Sequence, residues 1–252
     1  MKPAANLSHL WPELPYLDRF DAAAAAGFGG VEVLFPYDVP AKDTQRALIW
    51  GGLEMILINA PPPNYTGGER GFAAVVGSEA RFARDMRRAC RYAQELRVPM
   101  LHVMSGVAEG AAAKSTMIAN LKQAVQASRK GLMLTLEPLC PEAQPGYFLP
   151  DHGLAAEIIT AVDAPNLRLQ FDSYHAQMIH GDAVAVFEQY KDIIIHVQIG
   201  DTPSRGAPYT GNVDFAALFA AMRSAGYEGW VSGEYSPGSD TRSTLGWMAQ
   251  LS

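Results

Sequence analysis

The feature that most constrains the fold is a regular alternation of short apolar segments with amphipathic ones along the 252 residues. Eight apolar segments predict strands, at residues 4–10, 30–35, 55–60, 101–106, 132–138, 167–175, 194–200 and 229–235. The segments between them have the apolar spacing of helices, at residues 13–26, 41–50, 78–97, about 114–130, 153–162, 183–190, 214–225 and 241–250. The strands are continuous apolar runs, which is typical of a parallel sheet covered on both faces.

Eight strand–helix units in a chain of this length predict an α/β fold, a single-domain (β/α)8 TIM barrel over residues 1–252. A doubly wound open sheet is the alternative, but no glycine-rich phosphate-binding loop follows the first strand. No linker or low-complexity segment divides the chain. The segment 61–71 (PPPNYTGGERG) is too rich in proline and glycine to be anything but a loop.

Charge and composition narrow the classes of function. A net charge of −6 counts against a nucleic-acid binder, which needs a basic surface to offset phosphates. No apolar run reaches the roughly 18 residues of a membrane helix, and the first residues lack the apolar core of a signal peptide. Cys90 and Cys140 form no metal-spaced pair. We therefore expect a cytoplasmic protein with free thiols and no membrane partner, and leave a homo-oligomer open.

Polar residues stand at the ends of four successive predicted strands, where a TIM barrel carries its chemistry. They are three carboxylates and one amide: Glu137, Asp172, Gln198 and Glu234. Three converging carboxylates repel one another and are costly to bury, and a bound divalent cation removes both problems. An all-oxygen ligand set suits Mg²⁺ or Mn²⁺ rather than Zn²⁺. Any one of the four alone could equally form a salt bridge or cap a loop.

Two further residues are candidates for substrate binding. His175 lies three residues beyond Asp172 and, if the sixth strand ends near Tyr174, faces the barrel mouth as a donor to a substrate oxygen. A partly exposed loop histidine is the equal alternative. Arg205 lies in a loop over the mouth (DTPSRGAPYTG), where it could clamp a substrate carboxylate bidentately; a solvated loop arginine is the alternative.

Three interior polar residues have less defined roles. His196 shares a strand face with Gln198 one layer deeper, which favours a core histidine or a residue behind the ligands over a metal ligand. Glu32 and His102 lie within predicted strands, as part of the pocket floor or as satisfied core groups. No lysine lies on a predicted strand, which argues against a Schiff-base mechanism.

Several motifs together resemble the hydroxypyruvate isomerase family, which belongs to the xylose-isomerase-like TIM barrels along with ketose 3-epimerases and endonuclease IV. They are ANLSHLW, VEVLFPYDVP, GERG, LEP, FDSYHAQ, HVQIGD followed by TGNVDF, and GWVSGEYSP. The resemblance runs over essentially the whole chain, and the ordered set of four strand-end residues is more specific than any one motif. The segment LHVMSG is closer to the 2-oxo-tetronate isomerase branch.

The resemblance implies a metal-dependent enzyme that interconverts hydroxypyruvate and tartronate semialdehyde through an enediolate, with no nucleotide cofactor. It implies that one divalent cation, Mg²⁺ or Mn²⁺, is held by the four strand-end residues. Glu137 and Glu234 would also form the acid/base pair across the substrate. His175 matches the histidine that follows the metal aspartate, and Arg205 matches a basic residue after strand seven.

Other functions remain alternatives. Related sugar epimerases carry an acidic residue where this chain has Ala143, with Glu142 one position earlier, so the substrate could instead be 2-oxo-tetronate or a neutral ketose. An abasic-site endonuclease of the same superfamily would need a zinc cluster built from several histidines and would meet an unfavourable net charge. A non-enzymatic binding module would leave the three converging acids unexplained.

Overall fold

The computed structural model describes residues 1–60 and 70–251. Within them, eight parallel strands pair in sequence order and close into a barrel, β1 with β8. The strands are β1 Lys2–Asn6, β2 Gly30–Val33, β3 Glu54–Asn59, β4 Met100–His102, β5 Met133–Leu136, β6 Leu167–Asp172, β7 Ile194–Ile199 and β8 Trp230–Gly233. The predicted TIM barrel is confirmed. The predicted loop 61–71 lies almost entirely outside the described residues.

Helices fill the connections between the strands. In the described part of the chain they are α1 Asp18–Ala25, α2 Ala41–Gly51, α3 Glu79–Glu95, α4 Gly110–Ala127, α5 His152–Val162, α6 Ser173–His180, α7 Ala183–Tyr190 and α8 Phe215–Ser224. Segments of 3-10 helix cover Pro36–Asp38, Lys191–Ile193 and Arg242–Gln250. None of these helices is long and apolar enough to cross a membrane.

The sixth strand is shorter than predicted, and a helix follows it at once. The Asp172 side chain accepts a hydrogen bond of 2.8 Å from the backbone N–H of Tyr174, which caps the amino end of α6. Residues 173–175 therefore belong to a helix, although their apolar neighbours predicted a continuing strand. This difference determines where His175 lies.

The first strand also ends early, at a turn made by its last residue. Asn6 Oδ1 accepts a hydrogen bond of 2.9 Å from the backbone N–H of Ser8, and the Asn6 carbonyl accepts from the N–H groups of His9 and Leu10. Such an asparagine turn competes with strand extension. The segment after this turn brings Nε2 of His9 to 3.7 Å from Oε1 of Glu234, the residue that follows β8.

Apolar packing occupies the space between barrel and helices, while polar side chains collect at one end of the barrel. The main core unites side chains of all eight strands with the inner faces of the helices. A smaller apolar cluster is formed by Ala4, Ile56, Leu57 and Met100, before the ends of their strands. The buried carboxylates and amides follow at the carboxyl ends, so the barrel presents its polar groups on one side.

The buried histidine at the start of α5 makes stability depend on pH. His152 is fully buried with Nδ1 3.1 Å from Nε2 of His180, and burial lowers the pKa of His152 to about 3. The unfolded chain, with a pKa near 6.5, binds this proton first, so stability falls as pH drops below about 6.5. We expect the free energy of unfolding of the unsubstituted protein to decrease between pH 7 and pH 5. This decrease should exceed that of the His152→Asn variant by about 2 kcal/mol. Urea unfolding at both pH values measures this, and equal losses would contradict it.

Candidate active site

The carboxyl ends of the last four strands bring the predicted ligands together. Glu137 and Glu234 are the residues directly after β5 and β8. Asp172 is the last residue of β6, and Gln198 is the next-to-last residue of β7. All four side chains are buried. One potential ligand atom each from Glu137, Asp172 and His175 lies within 4.8 Å of the other two. The convergence predicted from the sequence is present, and the assignment of these residues as ligands stays a prediction.

The guanidinium of Arg205 lies among these carboxylates. Its Nη2 donates hydrogen bonds of 2.6 Å to Oδ2 of Asp172 and 2.5 Å to Oε1 of Glu234, and its Nε donates to the Glu234 backbone carbonyl. Burial alone would lower the pKa of Arg205, but Asp172 and Glu234 raise it, so the guanidinium stays charged. The sequence predicted a contact with a substrate carboxylate, whereas here Arg205 pairs with carboxylates of the protein itself.

The carboxyl groups of the cluster hold protons more tightly than usual. Burial raises the pKa of Glu137 well above its ordinary value, and the neighbouring Glu234 and Asp172 raise it further. Burial raises the pKa of Glu234 to about 8, although Arg205 opposes the shift. Burial also raises the pKa of Asp172, again against Arg205. One guanidinium therefore does not compensate three buried carboxylates.

His175 lies in the first turn of α6 and is almost fully buried, which excludes the alternative of a partly exposed loop histidine. The backbone N–H of Cys140 donates to its Nδ1 at 3.1 Å, so Nδ1 accepts and the neutral ring carries its proton on Nε2. Nε2 lies 3.8 Å from Oδ2 of Asp172 and 3.4 Å from Nη1 of Arg205. Burial, aided by Arg205, holds the pKa of His175 well below its usual value. A protonated Nε2 is a donor, which favours the predicted contact with a substrate oxygen over a ligand role.

The amide of Gln198 has a defined orientation. Its Nε2 donates to Oε1 of Glu32 at 2.7 Å and to Oε2 of Glu234. Its Oε1 accepts a hydrogen bond of 2.7 Å from Nε2 of Gln170. The amide nitrogen is thus directed to two carboxylates, and the oxygen keeps one lone pair for a further partner.

Two residues of the first strand and its turn belong to the site and were not singled out as site residues from the sequence. Asn6 Nδ2 donates to Oε1 of Glu32 at 2.9 Å and to Oε2 of Glu234 at 2.7 Å. His9 Nε2 lies 3.7 Å from Oε1 of Glu234, and burial lowers the pKa of His9 to about 4. Both lie in ANLSHLW, one of the motifs of the family resemblance, and this motif was the sequence signal that could have identified them as site residues.

The other interior polar residues lie directly beneath or beside the carboxylates. Burial would raise the pKa of Glu32, but His196, with Nε2 2.7 Å from Oε2 of Glu32, lowers it below the ordinary value. Glu32 is therefore ionised, and His196 lies behind the ligands as one of its predicted alternatives. His102 Nδ1 lies 3.4 Å from Oε2 of Glu137, and burial lowers the pKa of His102 to about 3. Glu142 is exposed.

The donor set fits a divalent cation. Oε1 of Glu137 is buried and has no hydrogen-bond partner, which is costly for a carboxylate oxygen unless a cation or a substrate group meets it. Around it are a second carboxylate, Asp172, and the guanidinium that already binds Asp172 and Glu234. Carboxylate and amide oxygens are ligands for a hard cation such as Mg²⁺ or Mn²⁺.

Comparison with known proteins identifies the family. The family model described as xylose isomerase-like TIM barrel matches residues 20–251. This chain belongs to the xylose isomerase-like TIM barrel family. The curated 2-oxo-tetronate isomerase of Cupriavidus necator is 39% identical over 250 residues, covering 97% of this chain and 96% of the relative. Hydroxypyruvate isomerase of Escherichia coli is 35% identical and covers 97% of both chains.

A solved structure agrees with this assignment of fold. The crystal structure described as AP endonuclease, family 2 from Brucella melitensis has a TM-score of 0.94, 40% sequence identity and 98% coverage of both chains. The family resemblance stated from the sequence is thereby confirmed. Since the full-length curated relatives are named isomerases, this xylose isomerase-like barrel is an isomerase enzyme.

Because the pKa values of Glu137, Asp172 and Glu234 are raised, we expect cation binding at this cluster to depend on pH. Ligand carboxyl groups must lose their protons to bind a cation, and the pKa of Glu234 is about 8. We therefore expect Mn²⁺ affinity to fall as pH drops from 8 to 6, by up to about tenfold per pH unit for each competing proton. Calorimetric titration of EDTA-treated protein at each pH measures this. Glu234→Gln should flatten the dependence, and a native affinity independent of pH would contradict the expectation.

Proposed function

We propose that this protein is a metal-dependent isomerase of short 2-oxo hydroxy acids, with hydroxypyruvate and 2-oxo-tetronate as the candidate substrates. The reaction moves the carbonyl group between C2 and C3 by proton transfer through an enediolate. The observation that carries the proposal is the cluster of three buried carboxyl groups with raised pKa values, Glu137, Asp172 and Glu234. Strongly perturbed carboxyl groups at the mouth of a barrel are typical of an acid/base site.

The proposed ligands are the four residues predicted from the sequence: Glu137, Asp172, Gln198 and Glu234. When bound, Mg²⁺ or Mn²⁺ would polarise the substrate carbonyl and the neighbouring hydroxyl, which makes the intervening C–H bond more acidic. Two observations support this assignment: Oε1 of Glu137 is buried without a hydrogen-bond partner, and the oxygens of Asp172 and Glu234 already attract the Arg205 cation.

Glu137 and Glu234 are proposed as the acid/base pair. One of them, as the carboxylate, removes the proton from the carbon that bears the hydroxyl, and the hydroxyl proton passes to the former carbonyl oxygen. The other, as the carboxylic acid, gives its proton to the former carbonyl carbon. A pKa near 8, as in Glu234, lets a carboxyl group hold or release a proton close to neutral pH. Burial of both groups keeps bulk water from competing for the proton.

His175 and Arg205 are proposed to bind the substrate. The Nε2–H of His175 donates a hydrogen bond to a substrate oxygen, because its Nδ1 is occupied by the backbone N–H of Cys140. Arg205 provides the cation for a substrate carboxylate, with the planar donor fork that suits this group. A neutral ketose lacks that carboxylate, so Arg205 favours an acid substrate over the 3-epimerase alternative.

Relatives support both acids as substrates. The two differ only in the hydroxymethyl group that 2-oxo-tetronate carries on C3, so the same residues can isomerise either one. Curated 2-oxo-tetronate isomerases are 36 to 39% identical to this chain, and the Escherichia coli hydroxypyruvate isomerase is 35% identical. The net charge of −6 opposes binding of DNA phosphates and so favours an isomerase over an endonuclease.

A substrate panel tests the proposed function. Metal-stripped protein is mixed with hydroxypyruvate, with 2-oxo-tetronate or with D-fructose, each with and without added Mg²⁺ or Mn²⁺. We expect metal-dependent turnover of one or both acids, on the order of 1–10³ s⁻¹, and none of fructose. Tartronate semialdehyde is followed through its reductase, and the other products by chromatography. Turnover of fructose alone would instead support a ketose epimerase.

The role of Glu234 is tested by an isosteric change. Glu234→Gln removes the acid/base group while keeping its size, and we expect kcat to fall by about 10²–10⁴-fold. Glu142→Gln is the matched control, because Glu142 is exposed, and it should keep the native kcat. Circular dichroism checks that both variants are folded. A near-normal kcat in Glu234→Gln would refute the acid/base assignment.

A further inference from the structure

A second layer of polar side chains lies beneath the proposed ligands. A buried polar residue stands two positions before each of the four: Thr135, Gln170, His196 and Ser232. Because side chains alternate along a strand, each lies on the same strand face as its ligand, one layer deeper in the barrel. A barrel interior of this size is usually filled with branched apolar residues, so a polar layer needs an explanation.

Hydrogen bonds in this layer run in one direction. Thr135 Oγ1 donates to Oε1 of Gln170 at 2.9 Å, which turns the Gln170 amide nitrogen to the other side. Gln170 Nε2 donates to Oε2 of Glu137 at 3.0 Å and to Oε1 of Gln198 at 2.7 Å. The two acceptor oxygens that face Gln170 Nε2 therefore set the orientation of this amide, and the Thr135 hydroxyl, which can donate or accept, donates to the oxygen on the other side.

This series of hydrogen bonds ends at the carboxyl group of Glu32, which accepts hydrogen bonds. Oε1 of Glu32 accepts hydrogen bonds from Nε2 of Gln198 at 2.7 Å and from Nδ2 of Asn6 at 2.9 Å, and Oε2 lies 2.7 Å from Nε2 of His196. Because Glu32 accepts, the Gln198 amide must direct its nitrogen towards Glu32. The Gln198 oxygen is consequently directed to the opposite side, towards Gln170.

As a result, each proposed acid/base residue has one carboxylate oxygen tied to the barrel interior. Oε2 of Glu137 is bound by Gln170, whereas Oε1 of Glu137 is buried without a hydrogen-bond partner. Oε2 of Glu234 is bound by Asn6 and Gln198, whereas Oε1 of Glu234 contacts Arg205. The second oxygen of each glutamate is thus the one presented to a cation or substrate.

We propose that Gln170 is a positioning residue for Glu137 and Gln198, and that Thr135 supports it by holding the Gln170 amide oxygen. If the Gln170 amide rotated by half a turn, its oxygen would face Oε2 of ionised Glu137 and Oε1 of Gln198, and neither of these oxygens could donate to it. Glu137 and Gln198 thus fix the direction of the Gln170 amide, and loss of the Thr135 hydroxyl leaves the Gln170 oxygen without the hydrogen bond that holds it from the other side. This inference rests on the proposed function, since it assigns Glu137 and Gln198 as ligands.

Two substitutions test the proposal at different distances from the carboxylates. Gln170→Met keeps the length of the side chain and removes both donors, and we expect the Kd for Mn²⁺ to rise by about 10–100-fold. Thr135→Val keeps the shape and removes only the hydroxyl that holds the Gln170 oxygen, with an expected rise in Kd of up to about tenfold. Thr135→Ser restores the hydroxyl and should restore the native Kd. At saturating Mn²⁺, kcat should fall more than KM changes, because a misoriented Glu137 affects the reaction more than substrate binding.

Thr44→Val is the matched control. Thr44 is also a fully buried threonine, but it lies in α2, outside the barrel, with its hydroxyl 3.2 Å from that of Tyr16. We expect Thr44→Val to lower the melting temperature without changing Kd for Mn²⁺ or kcat. Native Kd and kcat in Gln170→Met and Thr135→Val, or equal effects in the control, would overturn the positioning role alone. A native protein that neither binds Mn²⁺ nor turns over either acid would overturn the proposed function, and this inference with it.

Discussion

Burial of three carboxyl groups around one point is the constraint on which the rest of this structure depends. An unpaired carboxylate inside a protein costs several kcal/mol even after relaxation, and like charges add to that cost. The barrel offsets the cost in two ways. Arg205 supplies a positive charge to Asp172 and Glu234 from the mouth. The amides of Asn6, Gln170 and Gln198 supply hydrogen bonds from within the barrel.

Asp172 shows how the backbone and the site depend on one another. Its Oδ1 accepts from the backbone N–H of Tyr174 and caps α6, while its Oδ2 binds Arg205. The same carboxylate therefore starts the helix and belongs to the charged cluster. Because the cap fixes the first turn of α6, it also fixes His175, whose ring is held from the other side by the backbone of Cys140.

Much of the fold and the position of the carboxylates could be predicted, because both follow from local patterns. Apolar runs indicate the strands, and parallel strands of a barrel end on one side, so Glu137 and Asp172 had to converge. The end of β6 was predicted wrongly, since hydrophobic pattern alone does not distinguish a capped helix from a longer strand. The partners of Arg205 could not be predicted from the sequence either, because a loop arginine can bind whichever carboxylate the fold brings near it. Thr135 and Gln170 each lie two positions before a proposed ligand, a spacing that is visible in the sequence. Their hydrogen bond joins two different strands, so the sequence does not show it.

The position of Arg205 has a consequence for the order of events at the barrel mouth. Its guanidinium is the positive charge that both Asp172 and Glu234 contact, so it partly offsets their repulsion without a metal ion. On the proposed function, Asp172 and Glu234 would bind the divalent ion instead of Arg205, whose guanidinium would then be free for an anionic substrate. The two binding events are then thermodynamically coupled, and by reciprocity each strengthens the other by the same factor. Arg205 would thus act as an exchangeable counter-ion, whose transfer from protein to substrate accompanies assembly of the complete site.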